Sequence, residues 1–183
     1  MALVESIDIP LGTPMPPFDL PDPNGNVHTL RGALGPKGLL IAFTCNHCPY
    51  AIAVWPRLVA LAARGRALGI ATVAINPNIH PSYPDDAPPK MKEAVARWGV
   101  DFPYLVDESQ TVARAYKAQC TPDLYLLDGG GKLAYHGRID DCWQNEAKVT
   151  RRELLAAIEA VATGQTVDLE QIPSLGCSIK WKG

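Results

Sequence analysis

Gly38-Leu39-Leu40-Ile41-Ala42-Phe43-Thr44 runs without a break into Cys45-Asn46-His47-Cys48-Pro49-Tyr50, and this junction decides the fold. The first seven residues are apolar up to the closing threonine, the pattern of a short strand covered on both faces of its sheet. From Cys48 to Leu68 the pattern turns helical, with Ile52, Trp55, Val59 and Ala62 recurring along one face. Pro49 suits the first helical turn, where its missing N–H costs nothing. Pro56 predicts a kink that frees the carbonyl near Ile52. A strand thus delivers a Cys-x-x-Cys pair to the N-terminus of a helix.

Outward from that junction, Gly69–Ile75 reads as a second buried strand rich in β-branched residues. The loop over 76–89 holds Pro77, Pro81, Pro84, Pro88 and Pro89 and leads to a helix ending near Gly99. A short strand is expected at Phe102–Val106, and Ser109 is placed to cap a helix through Tyr116. Beyond Thr121-Pro122 come a strand at Leu124–Leu127, a turn at Asp128-Gly129-Gly130-Gly131, and a strand at Leu133–Arg138. Thr150 caps a last helix carrying Leu154, Leu155, Ile158 and Val161. Toward the N-terminus, Phe18–Leu20 and Val27–Thr29 flank Asn24-Gly25, a hairpin with a tight Asn-Gly turn.

The order β–α–β–α, an antiparallel hairpin and a final helix, with Cys-x-x-Cys at a strand-to-helix junction, matches an α/β, thioredoxin-like fold. A central mixed β-sheet flanked by helices is expected as one domain over 1–183. Residues 1–30 form an N-terminal extension with the hairpin, and 164–183 an irregular C-terminal tail.

The chain has 183 residues, 17 basic against 19 acidic, net charge -2. No like-charged run offers a footprint for nucleic acid or an anionic membrane. No apolar run approaches the roughly 20 residues of a spanning helix. Met1–Gly12 carries Glu5 and Asp8 and no basic segment, unlike a secretory signal. A cytoplasmic protein with neither nucleic-acid nor membrane partner is the expectation. Its five cysteines then need a reason other than extracellular stapling.

Disulfide exchange needs a thiolate, and a helix N-terminus supplies free N–H groups and a positive dipole end that favour one. On this reading Cys45 is the exposed, low-pKa attacking sulfur and Cys48, in the first turn, the resolving one. For His47 two readings stand: a charge or hydrogen bond offered to the Cys45 thiolate, or an exposed loop histidine. Pro122, by its place in the order of elements, is the expected cis proline packed against the pair, with the preceding backbone open to a substrate strand. Cys120 and Cys177 are possible further redox thiols. A small buried hydrophobe is the plainer reading of Cys120, and a bystander that of Cys177 and Cys142. Zinc would need four ligands, and no second Cys-x-x-Cys or paired histidine exists. Copper delivery through the two cysteines and His136 is the metal alternative. No cofactor is expected.

Phe43–Tyr50, Cys120-Thr121-Pro122-Asp123, Gly137-Arg138-Ile139-Asp140-Asp141 and Gly176–Lys182 resemble the AhpC/TSA (redoxin) superfamily, in its peroxiredoxin-like branch of probable thiol-disulfide isomerases or thioredoxins. The resemblance implies a thiol-disulfide oxidoreductase with Cys45 and Cys48 as redox pair and Pro122 as cis proline. It further implies protein or small-molecule disulfides and thiols as substrates and an upstream thiol reductant. A thiol peroxidase is the alternative within the superfamily. Peroxiredoxins carry Thr or Ser three residues before the peroxidatic cysteine; here Ala42 precedes Cys45 and Cys45 itself precedes Cys48 at that spacing. Thioredoxins carry a buried acid in the strand before the motif, and Gly38–Thr44 has none. Proton transfer is then left to water, His47 or a carboxylate elsewhere.

Overall fold

Leu39 to Phe43 are fully buried, because their side chains alternate between two cores on opposite faces of one sheet. In the computed structural model, which describes residues 3–182, Leu40 and Ala42 join a cluster with Val54, Trp55, Leu58 and Ile158. Leu39, Ile41 and Phe43 join Phe18, Val73, Tyr116 and Tyr125 on the other face.

In chain order the elements are β1 (Leu3–Glu5), β2 (Asp19–Pro21), β3 (Val27–Thr29), α1 (Leu30–Ala33), β4 (Gly38–Phe43), α2 (Pro49–Leu68), β5 (Ile70–Asn76), α3 (Pro88–Trp98), β6 (Tyr104–Val106), α4 (Thr111–Ala115), β7 (Cys120–Thr121), β8 (Asp123–Asp128), β9 (Leu133–His136), α5 (Glu153–Ala162) and β10 (Leu175–Ser178). Single 3-10 turns occur at Pro84–Asp86 and Glu146–Lys148. The main sheet has the order β6-β5-β4-β8-β9. Strands β4, β5 and β6 are parallel, whereas β8 and β9 run antiparallel to their neighbours. No helix among the described residues is long and apolar enough to cross a membrane.

Register brings three chain ends together. Phe43, the last residue of β4, pairs with Ile75 near the end of β5 and with Asp123 at the start of β8. The Cys-x-x-Cys loop, the proline-rich loop after β5 and Thr121-Pro122 therefore meet at one edge of the sheet. Ligand sites of open α/β sheets form at such strand ends.

Several local expectations are corrected. The buried face of α2 is Ala51, Val54, Trp55, Leu58, Ala62 and Gly65, while Ile52 is 40% exposed. Trp55 anchors that face, stacked on Trp98 at 5.1 Å. Pro56 lies inside α2 on its exposed face. The hairpin β2–β3 closes by a wider turn than Asn-Gly alone. The Asp22 carbonyl accepts from Gly25 N–H at 2.9 Å, and Asp22 N–H donates to the Asn26 carbonyl. Gly25 at φ +89° supplies the left-handed residue, the three-residue loop with a glycine bulge. At the start of α4 the Ser109 hydroxyl accepts from Thr111 N–H at 3.3 Å, and the Asp107 carboxylate shares the capping by accepting from Ala113 N–H at 2.8 Å. The Thr150 hydroxyl is taken by Asp141, and α5 begins only at Glu153.

The C-terminal tail is the largest correction. Expected to be irregular, it contains β10, the centre of a second, antiparallel sheet with order β1-β10-β7. Beyond it, Lys180 N–H donates to Asn78 Oδ1 at 2.8 Å and Lys182 N–H to Gln110 Oε1 at 2.7 Å. Gln110 is fully buried at φ 61°, and its amide donates to the carbonyls of Pro77 and Lys180. The tail's hydrogen bonds run to residues distant in the chain, so no local pattern announces them. Met1, Ala2 and Gly183, the ends of the expected extension and tail, lie outside the described residues.

Candidate active site

Both sulfurs of the Cys-x-x-Cys pair are fully buried, in a small cluster with Ala51 and Cys177. Cys48 is the N-cap of α2. Its sulfur lies 3.2 Å from the Thr121 carbonyl oxygen, which accepts from the protonated thiol. The Cys45 sulfur lies 3.2 Å from the Thr121 hydroxyl, and the Cys45 carbonyl accepts from the Trp55 indole at 3.5 Å. The Thr121–Pro122 peptide bond is cis, and Thr121 presents its hydroxyl to Cys45 and its carbonyl to Cys48.

The expected exposure of Cys45 is not found, since its side chain is fully buried, and the two thiols are shifted in opposite directions. Burial pushes the Cys45 thiol well above its ordinary range, and a thiolate on Cys48 and the Asp86 carboxylate push it further. Cys48 is lowered to about 5, first by the hydrogen bond from the Cys45 thiol, then, against the cost of burial, by the Cys177 thiol and the amides of Ala51 and Cys177. The helix N-terminus favours an anion within its first turn, and Cys48, not Cys45, occupies that place. One negative charge shared by neighbouring sulfurs titrates as a property of the pair.

A spectroscopic outcome follows. Followed by thiolate ultraviolet absorbance, the reduced chain is expected to gain one thiolate around pH 5, a step missing from Cys48→Ser. The unfolded thiol titrates near ~8.5, so the lowered group stabilises the fold fully above that pH. The contribution fades as pH falls through about 5. The difference in melting temperature between the reduced chain and Cys48→Ser is expected to shrink over that window.

His47 is not hydrogen-bonded to Cys45. Its Nδ1 is turned onto the Asp86 carboxylate, and its ring stacks on Tyr83 with centroids 4.6 Å apart. Asp86, fully buried, also accepts from Asn46 N–H at 2.7 Å and from Asn76 Nδ2 at 3.0 Å. The Asn46 side chain donates to the Asp85 carbonyl at 2.8 Å and accepts from Tyr104 OH at 3.0 Å. Both residues between the cysteines are thereby held by the turn at Pro84–Asp86. Asp86 is the residue that sequence reasoning missed. Its signal was an acidic pair among prolines, leaving the strand beside β4, in a site that lacked a carboxylate.

A sulfur of Cys45, a His47 ring nitrogen and an Asp86 oxygen lie within 4.8 Å of one another, donors of the types zinc and copper accept. His136 takes no part there: its Nε2 meets Asp123 Oδ1 at 2.8 Å, and its ring stacks on Tyr125.

Cys120 is fully buried, its thiol donating to the Pro122 carbonyl at 3.4 Å, and burial raises its pKa. It stands outside the sulfur cluster. Cys142 also stands outside, in a loop held by Arg57, which pairs with Asp140 and donates to the carbonyls of Cys142 and Trp143. That loop sets Trp143 against Tyr50 with rings 3.9 Å apart. A cleft of about 270 Å³ borders Pro122 and Trp143. A cavity of about 970 Å³ lies by Lys37 and Asp128 and touches no cysteine.

Residues 11–136 match the AhpC/TSA family. The chain belongs to the AhpC/TSA family. An uncharacterized conserved protein from Geobacillus kaustophilus superposes with TM-score 0.94 at 44% identity, over 100% of this chain and 97% of its own. A hypothetical protein from Sinorhizobium meliloti 1021 gives TM-score 0.92 at 41% identity, over 98% of each chain. A putative thiol:disulfide interchange protein from Chlorobium tepidum gives 0.66 at 20% identity, over 85% of this chain and 99% of its own, a likeness of fold. No curated protein matches the chain. The fold is thioredoxin-like, and this AhpC/TSA chain has a thiol redox role.

Proposed function

We propose that the chain is a thiol-disulfide oxidoreductase whose working couple is Cys45–Cys48. The observation that carries this reading is two clustered cysteines at a helix N-terminus, both sulfurs against Thr121. The Cys48 thiolate attacks a substrate disulfide, and one half of the substrate leaves as a thiolate that takes up a proton. Cys45 then attacks the mixed disulfide at Cys48. The second half leaves, the substrate has become two thiols, and the pair has become a disulfide. A thiol reductant returns the pair to the dithiol state. Cys45 must lose its proton during this second step, and the Asp86–His47 pair beside it is the group suited to accept it. Substrates are disulfides of proteins or small molecules. Peroxide reduction has less support, because the hydroxyl at Cys45 comes from Thr121 and not from the position of Ala42.

The test equilibrates purified chain in glutathione or dithiothreitol buffers of graded potential, blocks free thiols and maps the linked peptides by mass. Reversible loss of two thiols together, with a Cys45–Cys48 linked peptide, is expected. A chain that stays fully reduced across the whole range would overturn the reading.

A further inference from the structure

The backbone edge that would receive a substrate strand is already taken. Strand β10 lies antiparallel on β7, with Cys177 opposite Thr121 and Ser178 opposite Cys120. Its other edge is paired with β1, Leu3 opposite Cys177. Gly176 rests on the Thr121 carbonyl so closely that a Cβ would overlap it, with Pro122 N at 3.1 Å. This seat, beside the cis proline, puts the Cys177 side chain into the cluster with Cys45 and Cys48. The cluster is closed: Cys45 and Cys48 are fully buried and Cys177 is 3% exposed.

We propose that β10 is a resident substrate strand and that Cys177 is a third redox thiol, exchanging with the Cys45–Cys48 disulfide to give Cys48–Cys177. This rests on the function proposed above and names the first disulfide partner of that site as the chain's own. In the exchange the Cys177 sulfur bonds to the Cys48 sulfur, the Cys45–Cys48 bond breaks, and Cys45 departs with the electron pair. The Cys177 proton ends on Cys45, so the step is an isomerisation that needs no oxidant or reductant. The Thr121 hydroxyl faces the departing sulfur. Cys48–Cys177 ties β10 over the site, and its reduction frees the strand to lift. An external disulfide-bearing strand takes the Thr121 edge by displacing β10.

The test oxidises full-length wild type, Cys45→Ser and Cys177→Ser with one equivalent of diamide, followed by thiol blocking and peptide mapping. In Cys45→Ser the free-thiol count is expected to fall by two, with a Cys48–Cys177 linked peptide in monomeric protein. In wild type the same linkage is expected beside Cys45–Cys48. Absence of Cys48–Cys177 from both chains, or an intermolecular Cys48–Cys48 dimer in its place, overturns the proposal. Wild type keeps it falsifiable if Cys45→Ser does not fold. Cys177→Ser tests the underlying reading separately, since a Cys45–Cys48 linkage must form there whether or not Cys177 exchanges.

Discussion

Replacing Cys48 with serine is expected to lower disulfide-exchange turnover by on the order of 10³-fold or more, the scale of losing a nucleophile whose partners cannot act alone. A serine hydroxyl in the same place stays protonated, and the charge shared within the sulfur cluster has no other group to settle on at neutral pH. Cys45 is pushed up by burial and by Asp86, and Cys177 by burial to about 12. Cys45→Ser has a different signature, because Cys48 keeps the Ala51 and Cys177 amides and the Cys177 thiol. With Cys177 also replaced by serine, nothing in the cluster resolves a mixed disulfide. The double variant is then expected to hold glutathione on Cys48 in one-to-one amount after treatment with glutathione disulfide. Turnover followed with a small disulfide and a dithiothreitol supply, with mass measurement of the intact chain, checks both halves. A mixed disulfide held on Cys45 in Cys48→Ser, with substantial turnover, would return the attacking role to Cys45.

Gly176→Val is expected to carry the largest structural effect. A side chain at this position meets the backbone of Thr121 and Pro122, and backbone cannot swing aside as a flexible side-chain end can. Overpacking commonly costs about 1–3 kcal/mol, and the upper end is expected because relief requires β10 to leave β7 and strip the cover from both cysteines. Two readouts belong together. The denaturation midpoint in urea falls, and Cys45, Cys48 and Cys177 become reactive toward an aromatic disulfide reagent under native conditions. Cys142 serves as the internal reference, since it lies in the Arg57-held loop away from β10. A folded Gly176→Val chain with wild-type thiol reactivity would show that β10 does not cover the site.

Most of the sheet was legible because its signals are local. The apolar run of β4, the β-branched run of β5 and the glycine turn before β9 declare their states within a few residues. Pro122 was legible from its position in the order of elements, and its bond is cis. Elements closed by distant partners were missed or misplaced. Strands β1, β7 and β10 are two to four residues long and exist only by pairing with one another. The helical face of α2 was rotated toward Ile52 because a helix apolar on several sides offers more than one stripe, and packing against the sheet selects among them.

The sequence by itself determined the chemistry: a strand handing two cysteines, three positions apart, to a helix N-terminus, with Thr-Pro downstream. Covalent spacing alone brings those sulfurs together. Which sulfur holds the charge, and what surrounds it, was decided by tertiary structure. Asp86 reaches Asn46 across 40 residues of chain, and Cys177 reaches Cys48 only because β10 docks on Thr121. A pKa reports burial, neighbouring charge and hydrogen-bond donors summed over space, and none of those sums is a function of spacing along the chain.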